Sequence, residues 1–208
     1  ALNYSPSASE LMDHYVLECT KENIEYKNYR FFVNGEPKAI LIVEFNGVNK
    51  VEVLNRANEC IKEFQKNDLG YHYPLVQGDD IKKVWKLRKA GLGLLSNIPG
   101  DAKPAPVIED TAVSVEDLPD YIIEFNKILE KYNLYCVHYA HAGSGELHLR
   151  PILNLKTKKG RELFRIILDE ISTLVKKYKG SLSGEHGDGR LRAEFIRKMI
   201  GNENYSLL

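Results

Sequence analysis

Residues 134–155 read LYCVHYAHAGSGELHLRPILNL, and the fold turns on how this stretch is read. Residues 134–141 predict a strand, Gly143-Ser144-Gly145 supplies a reversal, and residues 146–155 alternate polar with apolar side chains. Alternation with period two marks a half-buried strand, and glycines in a short turn let the chain fold back on itself. The two runs are expected to form a hairpin, which makes them antiparallel neighbours.

Upstream of the hairpin, residues 118–132 read as a helix with Ser114 or Asp117 as its cap and Pro119 in its first turn. Residues 107–113 read as a buried strand, and residues 96–105, with Pro99-Gly100 and Pro104, as the clearest loop. A helix is expected over residues 79–95 on Ile81, Val84, Trp85, Leu87 and Arg88, loosened near its end by Gly91 and Gly93. Another is expected over residues 49–67, where Val51, Leu54, Ala57, Ile61 and Phe64 recur three or four apart. Residues 39–45 predict a well-buried strand, and residues 11–20 a short first helix capped by Ser7 or Ser9. Downstream, Thr157 caps a long helix that ends at Lys179-Gly180. Gly184, Gly187 and Gly189 then mark a tight loop before a final helix starting at Leu191 or Arg192. Strands and helices interleaved with a hairpin define an α+β fold, a mostly antiparallel sheet with helices packed on one face, rather than a doubly wound parallel sheet. Two βα-like halves are compatible with this order.

The chain has 208 residues, enough for a buried core without disulfide staples. Its 29 basic and 29 acidic side chains give a formal net charge of +0, which argues against a broad nucleic-acid surface. With 43% hydrophobic and 28% charged residues it has the profile of a folded globular protein. Apolar runs such as residues 39–43 are far shorter than the roughly 18 to 20 residues of a membrane helix, and no secretory signal opens the chain. Cys19, Cys60 and Cys136 are widely spaced and odd in number, which fits reduced thiols and a cytoplasmic location, peripheral membrane association included. No C-x-x-C pair is present, so no iron–sulfur cluster is written into these residues.

Three of the six histidines fall in two short glycine-rich segments, residues 141–148 (HAGSGELH) and residues 183–190 (SGEHGDGR). His141 ends one strand of the hairpin and His148 lies on the other, so two imidazoles can face each other across the turn. With a carboxylate from Glu185 they would form a two-histidine, one-carboxylate set suited to Zn²⁺ or another divalent ion, with a position left open for substrate. The bland alternative is a pair of ordinary strand histidines and a glycine-rich connector. His186 adjoins Glu185, and neighbours in an extended loop point apart, so it is assigned as a general base rather than a further ligand. Its alternative is a loop histidine bonded to backbone. Arg150, two residues from His148 on the same strand face, is placed either to clamp a substrate carboxylate or to be a solvated strand cation. Arg88 shares a helix face with Trp85, a spacing that on its own suggests stacking.

The segments His141-Ala142-Gly143-Ser144-Gly145-Glu146-Leu147-His148-Leu149-Arg150-Pro151 and Gly184-Glu185-His186-Gly187-Asp188-Gly189-Arg190 resemble the signature of the C-terminal domain of FAD-linked oxidases. That group contains D-lactate dehydrogenase, the glycolate oxidase FAD subunit and D-2-hydroxyglutarate dehydrogenase. Residues 6–13, 37–45 and 109–113 also resemble that domain, so the likeness covers nearly the whole chain. It implies one cap domain over residues 1–208, with ferredoxin-like halves, that closes over a flavin held mainly by an N-terminal FAD-binding domain not found in these residues. It implies His141, His148 and Glu185 as ligands of a divalent metal, usually zinc, His186 as the base, and Arg88 as the arginine that meets the substrate carboxylate. The substrate would be a D-2-hydroxy acid that passes hydride from C2 to the flavin, and the excised cap alone would not turn over. Arg150 and Glu146 each stand where several members carry asparagine, replacements that resemble larger bacterial members with appended iron–sulfur modules. A noncatalytic metal-binding or interaction module on the same scaffold is the alternative reading.

Overall fold

The computed structural model describes residues 1–208, the side chain of Leu92 apart, and resolves them into two units, residues 1–94 and 95–208. In the first unit the expected opening helix is in part a strand. β1 (Ala8–Asp13) pairs antiparallel with β2 (Ala39–Glu44), running from Ala8 opposite Glu44 to Asp13 opposite Ala39, and α1 (His14–Lys21) begins only after it. The helix-like spacing of Leu11, Met12, Tyr15 and Val16 straddles that junction, so it mixes two strand residues with two helical ones. The cap is neither Ser7 nor Ser9 but Asp13, whose carboxylate accepts the Val16 N–H at 3.2 Å.

β2 is present but not well buried. None of its residues is fully covered, and Leu41 is 42% exposed. A continuous apolar run identifies a strand without fixing how many layers cover it. α2 (Lys50–Lys66) starts at Asn49, whose side chain accepts the Val51 N–H at 2.9 Å, and α3 (Asp80–Leu94) runs through Gly91 and Gly93 without breaking. α1 packs on α3, and Val16, Leu17, Val84 and Leu87 are buried.

The second unit opens with a 3₁₀ turn at Leu95–Asn97. Part of the expected loop is a strand: β3 (Lys103–Pro104) pairs with β6, and a proline is tolerated there because so short a segment needs little of the ladder. β4 (Ile108–Ala112) has a bulge between Glu109 and Thr111, where Asp110 takes φ +76°. α4 (Leu118–Glu130) follows a 3₁₀ turn, with Pro119 in its first turn as expected. The hairpin forms from β5 (Cys136–His141) and β6 (Glu146–Leu153), joined by a 3₁₀ turn at Ala142–Ser144 and by Gly145. β6 is the central strand of this unit, with β5 on one edge and β4 and β3 along the other, all antiparallel.

α5 (Lys158–Lys177) is capped by Thr157, whose hydroxyl accepts the Gly160 N–H at 3.0 Å. It lies against α4, β4 and β6, burying Ile167, Leu168, Ile171 and Val175. Beyond it the chain returns to β4: Ser181 and Ala112 exchange backbone hydrogen bonds, and the Gly184 N–H donates to the Asp110 carbonyl at 2.7 Å. The expected single final helix is in pieces, α6 (Gly189–Arg192), a 3₁₀ turn and α7 (Ile196–Tyr205), the last kinked at Gly201. The architecture is α+β, as the interleaved pattern implied.

Gly145 closes the hairpin at φ +76°, and a Cβ there would lie 2.0 Å from the Val113 carbonyl oxygen. Gly145→Ala is expected to cost about 3 kcal/mol or more, from left-handed strain and a backbone clash together. Urea denaturation measures this, and a midpoint equal to that of the wild type would be incompatible with the turn described.

Candidate functional site

The hairpin places three ionisable side chains on one face. His141 lies opposite Glu146, and His148 follows Glu146 by two residues, so His141 and His148 are diagonal neighbours rather than directly opposed. Their rings meet edge to face with centroids 5.2 Å apart. His148 is buried, and its Nε2 lies 3.9 Å from Glu146 Oε1 while its Nδ1 lies 3.7 Å from Glu109 Oε1 on the neighbouring strand. Burial lowers the His148 pKa below its usual range, which favours the neutral imidazole that a metal ligand requires. Burial raises the Glu146 carboxyl to about 7, with the acidic groups of Asp110 and Glu185 adding to the shift.

The second glycine-rich segment reaches this face through Asp110. That side chain is fully buried at the β4 bulge, where its carboxylate accepts the Ser183 hydroxyl and the backbone N–H groups of Glu185 at 3.0 Å and His186 at 2.9 Å. Burial alone would raise this carboxyl, but those hydrogen bonds outweigh it and hold the pKa at about 2. Arg192 grips the same segment from the other side, donating to the carbonyls of Glu109, Leu182 and Gly187. So held, Glu185 Oε1 lies 3.9 Å from His141 Nε2, and the His186 ring stacks on His148 at 5.5 Å. His186 and Glu185 do not point apart. His186 Nε2 is 3.3 Å from Glu185 Oε1, because both backbone N–H groups converge on one carboxylate and the loop is not extended there.

His141, His148, Glu185 and His186 are thus brought together in the second unit. Arg150 is beside them on β6, with Nη2 donating to Glu109 at 2.7 Å, so it is an ion-paired strand residue and not a solvated one. Arg88 belongs to the first unit, buried on α3 and ion-paired with Glu10 of β1. The remaining strand histidine, His138, bonds Asn126 and the Cys136 carbonyl, each at 3.1 Å. Asp110, Glu109 and Arg192 lie outside any role that the sequence motifs imply. The available signal was two acidic residues inside an otherwise apolar strand, since buried carboxylates are rare unless paired.

The donor set suits a divalent cation. Ligand atoms of His141, Glu146, His148 and Glu185 all lie within 4.8 Å of one another, a mixture of imidazole and carboxylate that first-row metals accept. His148 Nδ1 and Glu146 Oε1 are buried without a hydrogen-bond partner among the described residues. Buried polar atoms are seldom left so, and a cation among these donors would account for the Glu146 oxygen.

An antiparallel α+β domain with a histidine–carboxylate cluster at a hairpin turn is the class that fold and site define. The chain matches the family described as FAD linked oxidases, C-terminal domain, over residues 2–208, and it belongs to that family. It is 37% identical over 207 residues to the D-2-hydroxyglutarate dehydrogenase of Haemophilus influenzae, covering 93% of this chain and 20% of that protein. The enzyme of the same name from Pseudomonas putida is 33% identical over 207 residues, covering 95% and 20%. Glycolate oxidase subunit GlcD of Bacillus subtilis is 25% identical over 167 residues, covering 80% and 34%. The chain therefore spans about a fifth of the length of the D-2-hydroxyglutarate dehydrogenases it matches. Among the described residues no helix is long and apolar enough to cross a membrane.

Asp110 gives this site a pH dependence of known sign. Its folded pKa is lowered, so its stabilisation is complete above the unfolded carboxyl value of about 4 and fades as pH falls towards about 2. The shift corresponds to about 2 kcal/mol. Asp110→Asn is expected to be less stable than wild type at pH 7, with the gap narrowing between pH 4 and pH 2. Denaturant titrations of both proteins across that range are the check, and a gap independent of pH would contradict the account.

Proposed function

We propose that the chain is the substrate- and metal-binding domain of an FAD-dependent D-2-hydroxy-acid dehydrogenase. The observation that carries this reading is the convergence of His141, His148 and Glu185, with His186 stacked on one ligand and 3.3 Å from another. Family membership supports the flavin, and the names of the relatives support a substrate in the D-2-hydroxyglutarate, D-lactate or glycolate class, D-2-hydroxyglutarate foremost. When bound, a divalent ion such as zinc would supply Lewis-acid polarisation of the substrate hydroxyl, and a flavin would supply the hydride acceptor.

The chain's own residues do the rest. His141, His148 and Glu185 would hold the ion. His186 is half-exposed, with Nδ1 turned to Asp110 at 4.0 Å and Nε2 on the side of the cluster, so Nε2 takes the hydroxyl proton. Asp110 acts through the backbone, keeping ligand and base in one fixed relation. Arg150 meets a substrate carboxylate from the same strand face as His148, its orientation set by Glu109. Arg88, ion-paired with Glu10 in the first unit, is the further arginine that the family resemblance implies for a substrate carboxylate. The partners under this reading are an FAD-binding domain and, on the strength of Glu146 and Arg150, an iron–sulfur module.

The test is turnover of D-2-hydroxyglutarate, D-lactate and glycolate by the full-length protein that carries this chain, with an artificial electron acceptor. His186→Ala should lose kcat by about a hundredfold or more while keeping its metal, whereas His141→Ala should lose the metal itself. If the parent protein oxidises none of the three acids, or His186→Ala is as active as wild type, the proposal fails.

A further inference from the structure

The three-ligand reading leaves Glu146 without a role, although it lies inside the first motif and against Gly184 of the second. Its Cα partner across the hairpin is His141, its Oε1 is 3.9 Å from His148 Nε2, and that oxygen is buried without a hydrogen-bond partner among the described residues. A buried carboxylate oxygen forgoes water, and near the acidic groups of Asp110 and Glu185 it is repelled unless a proton or a cation lies among them. A second observation concerns Gly184 in the other motif. A Cβ there would lie 2.9 Å from both Cγ and Cδ of Glu146, so the absence of a side chain at 184 is what makes room for this carboxylate arm. Gly184 is not among the residues with positive φ, so its backbone does not itself call for glycine.

We infer that Glu146 is a fourth protein donor to the metal and that Gly184 is the cradle that lets it reach. The inference rests on the proposed metal-binding role and goes beyond it. Two imidazoles and two carboxylates would then compensate a divalent charge in full, where an asparagine at 146 would leave one positive charge over. Substrate oxygens would have to bind by enlarging the coordination number rather than by filling a vacant fourth position. A side chain at 184 and a carboxylate at 146 become a coupled pair, because one occupies the space the other lacks.

The experiment uses the full-length protein stripped of metal and titrated with Zn²⁺ against a chromophoric chelator, with X-ray absorption counting nitrogen and oxygen neighbours of the ion. E146Q is expected to bind Zn²⁺ at least about tenfold more weakly and to show one oxygen neighbour fewer. Gly184→Ala should weaken binding in the wild-type background and add little in the E146Q background, since it acts by displacing the same carboxylate. Glu146→Asn, with circular dichroism as the folding check, separates a lost donor from a lost fold. If wild type takes up Zn²⁺ and E146Q and Glu146→Asn match it in affinity and neighbour count, the fourth donor is overturned while the three-ligand site stands. If wild type takes up no Zn²⁺, both readings are overturned.

Discussion

The whole site hangs on one buried carboxylate. Asp110 has left the regular ladder of β4 for a positive φ, and from that bulge it accepts hydrogen bonds from residues 73 to 76 positions further along the chain. A bulge re-aims a side chain at the cost of a ladder bond, and here the re-aimed group is the anchor for a loop that has no regular structure of its own. Donors satisfy both oxygens of Asp110, which is why a full charge is tolerated at zero exposure. Without that anchor, Glu185 and His186 would belong to a flexible glycine-rich connector, and the hairpin would carry only half a set of donors.

A chain of zero net charge can still be locally extreme. Glu109, Asp110, Glu146 and Glu185 crowd around three imidazoles, and the cations that reach into the group among the described residues are Arg150 on Glu109 and Arg192, on the backbone and 3.7 Å from Asp110. Those arginines act as braces: each fixes the framework behind the cluster and leaves the donor atoms of His141, His148 and Glu185 facing one another. Such an arrangement costs desolvation energy, which a cation bound as proposed would offset.

Much of this was legible in the sequence because much of it is local. The hairpin rests on a turn and an alternation within residues 134–155, and α2 and α5 announce themselves through apolar periodicity with Asn49 and Thr157 as caps. The clustering of His141, His148, Glu185 and His186 could be anticipated from two glycine-rich segments. β1 could not, because six strand residues abut a helix with no breaker between them, and Asp13 is both the end of one element and the cap of the next. The break of the last helix at the 3₁₀ turn Ala193–Phe195 and its kink at Gly201 are backbone features that no periodicity records. Asp110 and Arg192 were hidden for another reason: their partners are distant in the chain, and only the folded β4 makes them neighbours.

That same distance orders events during folding. The hydrogen bond from Arg192 to the Glu109 carbonyl spans 83 residues, and those that the Asp110 carboxylate accepts span more than 70. Contacts of such separation are closed only after the intervening strands and α5 have packed, since loop-closure entropy must be offset by what lies between. A nascent chain leaving the ribosome therefore displays the histidine pair of the hairpin long before Glu185 arrives. An ion met at that stage would find only two imidazoles, and the Glu185 carboxylate would join them only once the domain has folded.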